Sequence, residues 1–221
     1  AARRQRVLAL CSRGVTSVHR HLLNDMRALM PHARKESKMD AKDQLHVLNE
    51  LCEMKSCNNA LYLEVRKRRD AYLWLAKAPH GPSVKFHVLN VHTMSELKLR
   101  GNALLGSRPL LHFDRAFGTA THLCVIRELL AHAFSTPLRH ARSKPFVDRL
   151  LAFFVADGKI WLRNYQVLWR DDDTARRDTQ LVEIGPRLVL NPIRIFAGSF
   201  GGATLYENAH YVSPNVQRRN E

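Results

Sequence analysis

LVEIGPRLVLNPIRIFAGSFGG, from Leu181 to Gly202, carries the most specific structural pattern in the chain. Leu181–Ala197 reads as extended chain, interrupted at Pro192, whose ring nitrogen has no proton to give a sheet ladder. Gly198-Ser199-Phe200-Gly201-Gly202 then turns the chain. Amides of such a loop can cradle a phosphate. No helix pattern opens after it, as a nucleotide-binding loop requires, so a turn at a strand end is the preferred reading.

Upstream, Asp171–Gln180 is charged and aperiodic and reads as a solvated loop. Before it, Asp157-Gly158 separates Leu151–Ala156 from Lys159–Leu168, the two-residue signal of a tight β-hairpin. On the returning strand, alternation puts Ile160 and Leu162 on one face and Trp161, Arg163 and Tyr165 on the other. A basic loop, Arg139 to Lys144, precedes the hairpin. Further back lie a helix from about Thr121 to Phe134, carrying Leu123, Ile126, Leu130 and Phe134, and a strand at Pro109–Phe113.

The first half has the same order. Arg6–Cys11 is a short apolar strand that turns through Ser12-Arg13-Gly14. A helix from about Ser17 to Met30 puts Val18, Leu22, Met26 and Leu29 on one stripe, and Pro31 closes it. A basic loop follows with His32, Arg34, Lys35 and Lys38. A second helix, about Ala41 to Lys55, turns Leu45, Leu48 and Cys52 inward. Ala60–Val65 is a strand, followed by the run Arg66-Lys67-Arg68-Arg69. Ala71–Ala76 and Val84–Val91 are two more, joined through Pro79-His80-Gly81-Pro82. Strand, helix, basic loop and strands thus occur twice. The expected fold is α/β (α+β) in two similar halves, on element order alone, because the halves do not align residue by residue.

Charge is the compositional outlier. The 221 residues hold 35 Lys+Arg against 20 Asp+Glu, a net +15 with pI about 10.3. Residues 1–115 carry 21 basic and 10 acidic side chains, residues 116–221 carry 14 and 10. A field of this size recruits polyanions, and counterion release makes such binding salt-dependent. RNA is the expected polyanion. No basic amphipathic anchor, lipidation motif or apolar run of about 18 residues points to a membrane. Cys11, Cys52, Cys57 and Cys124 have neither CxxC nor zinc spacing and read as reduced thiols. No secretory leader is visible, and residues 1–5 and 216–221 read as remnants of basic tails.

Chemistry is largely missing from the sequence. No phosphate-loop, dinucleotide, zinc-protease, hydrolase or kinase motif is present. The twelve histidines are expected at the surface and in loops. Among them, His19 and His21 fall on different helix faces, and His87 and His92 would need a third partner to hold a metal. Glu183 has no positioned base or nucleophile beside it. The expectation is no enzyme, no metal and no cofactor. Basic residues say more. Arg13, Arg20, Arg34, Lys35, Lys38 and Arg66, Lys67, Arg68 and Arg69 are candidate phosphate contacts, with Arg187 and Arg194 as further candidates. Trp161 and Tyr165 either stack bases or cover core or a partner.

Three consecutive stretches resemble one family closely. Leu181-Val182-Glu183-Ile184-Gly185-Pro186-Arg187, Leu190-Asn191-Pro192-Ile193-Arg194-Ile195-Phe196 and Gly198-Ser199-Phe200-Gly201-Gly202 are similar to the Brix domain. Arg20-His21-Leu22-Leu23-Asn24-Asp25, Cys57-Asn58-Asn59, Leu73-Trp74-Leu75, Gly106-Ser107-Arg108-Pro109, Tyr206-Glu207-Asn208 and Tyr211-Val212-Ser213-Pro214-Asn215 resemble the family's founding member. The resemblance covers roughly residues 6–215 and implies one Brix domain, with halves 6–105 and 106–215. Each half would be similar to the anticodon-binding domain of class II tRNA synthetases. It further implies a nucleolar assembly factor of the large (60S) ribosomal subunit that binds precursor rRNA. Expected partners are ribosomal proteins and other pre-60S assembly factors, including an EBNA-binding-protein-like factor. The motif residues Gly185, Pro186, Gly198, Ser199, Phe200 and Gly201 are expected to shape backbone; Arg187 is the motif residue with reach toward RNA. The segment Arg170–Gln180 is short beside the acidic insertion the family often carries there.

Overall fold

Val7–Cys11 (β1) is buried at all five positions, because both faces of the strand are covered and an alternating pattern would leave polar groups inside. The protein is described by a computed structural model covering residues 5–39, 44–138, 140–169 and 179–220. After β1, Ser17–Leu29 (α1) returns over one face and buries Leu22, Leu23, Met26 and Leu29. Val18, expected on that stripe, sits in the first turn and is 44% exposed. Ala33–Lys35 (β2), expected as loop, pairs parallel to β1, with Val7 opposite Ala33 and Ala9 opposite Lys35. Its exposed Arg34 and Lys35 erase any apolar signal, and charge on an edge strand blocks pairing with another chain.

Val47–Met54 (α2) is shorter than the expected helix, whose residues 41–43 lie outside the described ones. Asn59–Arg66 (β3), Asp70–Lys77 (β4) and Ser83–His92 (β5) form an antiparallel meander. Met94–Leu97 (α3) opens on a capping box between Thr93 and Glu96. Pro109–Phe113 (β6) leads through a 3-10 turn into Thr121–Phe134 (α4). Arg149–Ala156 (β7) and Lys159–Trp169 (β8) form the expected hairpin, with Asp157 and Gly158 at φ 52° and 67°. Thr179–Glu183 (β9) pairs with β8, Arg187–Phe196 (β10) crosses the centre of the sheet, and Thr204–Glu207 (β11) and Pro214–Asn220 (α5) complete the described chain.

The strands join in the order β2-β1-β3-β4-β5-β10-β8-β7-β6, with β9 on β8 and β11 on β10. Parallel β1 and β3 followed by antiparallel β4 and β5 is matched by parallel β6 and β7 followed by antiparallel β8 and β10. The two arrays meet where β5 runs antiparallel to β10. All strand directions therefore reverse from one array to the other, as an approximate two-fold axis through the sheet requires.

The expected break at Pro192 falls elsewhere. The chain bends at Ile184-Gly185-Pro186, between β9 and β10, while Pro192 lies inside β10. The Pro192 carbonyl accepts from Asn208 Nδ2 at 2.9 Å. That side of the strand is the gap where pairing with β8 has ended at Leu190 and pairing with β11 has yet to begin at Arg194. No ladder bond is lost there, so the proline is tolerated.

One large core lies on the face covered by α1 and α4 and takes residues from both arrays, including Leu61, Phe86, Phe153, Leu162 and Leu188. On the other face of the first array, α2 sets Leu48 and Cys52 against Leu8, Leu10, Tyr62 and Trp74. Phe200 from the glycine-rich turn joins this second cluster. The second array has no helix in the matching place among the described residues. Its outer face leaves His112 exposed, Leu110 45% and Phe154 37% exposed, and Trp161 and Tyr165 half-buried.

Candidate nucleic-acid interface

Strand direction sorts the basic residues by place. β1 and β3 are parallel, so the Ser12–Gly14 turn after β1 lies beside the end of β3; Ser12 Oγ accepts from Val65 N at 3.0 Å. Arg13 thus sits at the same end of the sheet as the β3–β4 hairpin, whose tip is Arg66-Lys67-Arg68-Arg69. The charges of Lys38, Arg20 and Lys35 all act on the Cys11 thiol at the end of β1. Arg13 and Lys38 share a cleft of about 330 Å³. The structure therefore gathers Arg13, Arg20, Lys35 and Lys38 around one strand end.

From there the exposed β2 edge carries Arg34 and Lys35 toward a second, larger cavity of about 550 Å³. Arg6, Arg27, Arg34, Lys35, Lys55 and Arg142 line it, and no carboxylate does so among the described residues. Its walls come from both arrays: β2 and the end of α1 on one side, the α4–β7 connection on the other. The sequence named Arg34 and Lys35 as phosphate contacts and placed Arg142 only in the basic loop Arg139 to Lys144. Arg6, Arg27, Lys55 and Arg142 are far apart in the chain, and no local pattern joins them. Arg34 Nη1 donates to the Lys55 carbonyl at 3.1 Å, and Lys55 pairs with Glu36 at 3.1 Å, which holds the rim in place.

His32, read as part of a basic loop, is 2% exposed, and His87 is 9% exposed; both depart from the expected surface placement. His32 Nε2 lies 2.9 Å from the Ala133 carbonyl and bonds the start of β2 to α4. Burial pushes its imidazole down to about 4. It is neutral at pH 7, so Nε2 carries the proton and donates.

Three of the candidate arginines are tied up within the molecule. Arg66 Nε donates to Glu64 at 2.6 Å, and Arg194 pairs with Glu207. Arg187 forks onto Glu183 with two bonds of 2.6 Å and holds that carboxyl below the ordinary carboxylate range. Arg163 lies 3.8 Å from the same Glu183 and stacks over Trp161 at 5.5 Å. Glu183 is thus an anchor for two arginines. Of the hairpin tip, Lys67 bonds Asn215 at 3.0 Å, and Arg68 and Arg69 are exposed.

The motif glycines act on backbone. Gly185 has φ 87°, which a side chain rarely adopts, and Asn164 Nδ2 donates to its carbonyl at 2.8 Å. Ser199 Oγ donates to Asn49 Oδ1 at 2.6 Å, and Ser83 Oγ bonds both the Gly198 carbonyl (2.7 Å) and Phe200 N (3.0 Å). The turn thereby fastens β10 to α2 and β5. Among the described residues no group of three His, Cys, Asp or Glu converges as a metal site requires, and no helix is long and apolar enough to cross a membrane.

Residues 12–194 match the family model described as Brix domain. A ribosome biogenesis protein BRX1 homolog from Xenopus laevis is 54% identical over 98% of this chain and 62% of its own length. The Homo sapiens BRX1 homolog is 53% identical over 98% of this chain and 59% of its own length. Schizosaccharomyces pombe ribosome biogenesis protein brx1 is 53% identical over 97% and 72%. The chain thus spans about three-fifths of the vertebrate relatives. The crystal structure titled probable ribosomal biogenesis protein from Aeropyrum pernix K1 superposes with TM-score 0.56 at 15% identity, covering 85% of this chain and 96% of that one. That likeness is one of fold.

Proposed function

Because this chain belongs to the Brix-domain family, we propose that it acts in ribosome assembly, binding precursor rRNA of the large (60S) subunit in the nucleolus and supporting its folding and processing. A role in ribosome biogenesis is supported by relatives that bear that name across nearly the whole chain. RNA contact is supported by one observation above the rest: the basic band from Arg13 along the β2 edge into a cavity lined by six cations and no described carboxylate. Phosphate contacts of this kind fix register and orientation without reading sequence. The role is non-catalytic, in keeping with relatives named as biogenesis factors.

The outer face of the second array, which carries no helix among the described residues, supports a second contact, with another assembly factor such as an EBNA-binding-protein-like protein. Crosslinking and sequencing of the RNA bound in cells tests the proposal. Reads should concentrate on one or two segments of large-subunit precursor rRNA and fall away in an Arg34→Glu, Arg142→Glu variant. Reads spread over abundant RNAs, unchanged in that variant, would leave only the protein-scaffold role.

A further inference from the structure

The cavity at the β2 edge differs from the rest of the basic band in volume, in its apolar rim and in the unbonded atoms of its lining residues. Its volume of about 550 Å³ falls in the range of sites that enclose small organic ligands. Leu138 on its rim is 76% exposed, with Pro31 and Pro137 beside it. His32, with Nε2 donating to Ala133, keeps Nδ1 as an acceptor, and that buried atom has no partner among the described residues. Arg27 bonds Asn24 through Nη1 at 3.1 Å, while its buried Nε has no described partner either. A buried polar atom left unbonded costs about 1–3 kcal/mol, which a small shift of the side chain toward a ligand atom would restore.

We propose that this cavity takes one unstacked nucleotide of single-stranded RNA, its phosphate on Arg34 and Arg142 and its base against Leu138, Pro31 and Pro137. This rests on the RNA-binding reading above and makes it more specific. A cation band alone serves any polyanion. A partly open cavity with an apolar rim and a histidine acceptor in its wall suits a base, which offers a flat apolar surface and N–H donors at its edge. Single-stranded RNA is read in this way, by bases splayed out of the stack, whereas duplex RNA is read by shape.

Two fluorescent probes separate the possibilities: a short oligoadenylate and a base-free ribose-phosphate chain of equal length and charge. Anisotropy titration should show the oligoadenylate binding about tenfold more tightly or better, the effect of one well-seated base. A Leu138→Ser, Arg142→Gln variant should lose that preference. Both positions are exposed, so folding should survive, and circular dichroism checks it. An Arg68→Gln, Arg69→Gln variant should weaken both probes alike and keep their ratio. Equal affinity for the two probes overturns the nucleotide pocket and leaves RNA binding standing. A preference that survives in the cavity variant also overturns it, by placing the base elsewhere. Binding to neither probe overturns both readings.

Discussion

At the scale of single residues, formal charge and available charge differ. Arg66, Arg187 and Arg194 are arginines that a count treats as free, yet each meets a glutamate within the sheet. His32 shows the opposite case, a side chain among cations that is held neutral by burial. Its pKa of about 4 lies below the unfolded value of about 6.5. The unfolded chain therefore takes the proton first, and the stability due to His32 is complete above pH 6.5 and lost as pH falls toward 4. Urea unfolding at pH 7.5 and pH 5 should show wild type losing about 2 kcal/mol more than His32→Gln over that interval. An equal loss would mean that His32 is solvated in the native state. The thiols give a second check. Burial pushes Cys52 up to about 12 and raises Cys11 and Cys57, whereas Cys124 is partly exposed. Iodoacetamide at pH 8 should modify Cys124 first, and Cys52 only on the timescale of unfolding.

At the scale of elements, the β3–β4 hairpin is the clearest departure from local preference. Lys67 and Arg68 occupy φ 49° and 54°, where two-residue hairpins favour Asn-Gly. A left-handed conformation costs a non-glycine residue about 1–2 kcal/mol. Replacing Lys67→Asn and Arg68→Gly should therefore raise thermal stability by about 1–2 kcal/mol. If both side chains contact phosphate, the same variant should flatten the salt dependence of RNA binding by about 1.4. Higher stability with an unchanged slope would remove the hairpin from the interface. Helix α2 is a second test, because Leu48 is fully buried between it and the sheet. Leu48→Ala should cost about 2–5 kcal/mol by chemical denaturation.

At the scale of the molecule, the two arrays share one core and one buried cation. Arg149 is 4% exposed; its guanidinium donates to the Ser107 hydroxyl at 2.9 Å and to the Leu29 carbonyl at the end of α1. It thus ties the second array to the first. Removing a buried, bonded charge leaves carbonyls unsatisfied, and Arg149→Ala should cost about 3 kcal/mol. Arg149→Lys should recover little, because one ammonium cannot copy the planar fork. Calorimetry should show a single transition, since Phe153 and Leu162 pack in the same core as Leu61 and Phe86. Two resolved transitions would show that the arrays are separate folding units.

The sequence by itself determined the α/β class, most of the strands though not β11, helices α1 and α4, the Asp157-Gly158 hairpin, and a family motif that marked Leu181–Gly202. These features depend on local spacing and turn chemistry, which act within a few residues. It did not reveal β2, whose two exposed cations mask an edge strand, nor the bend at Gly185-Pro186 in place of Pro192. Whether a proline breaks a strand depends on which neighbour faces its nitrogen, and that is a property of the assembled sheet. The cavity was decided only by tertiary structure, because Arg6, Arg27, Lys55 and Arg142 meet through the parallel pairing of β1 and β2 and the packing of α4 across both arrays. Burial, which neutralises His32, and ion pairing, which ties up Arg187, act between residues distant in the chain, so composition records the charges without recording which of them remain free for RNA.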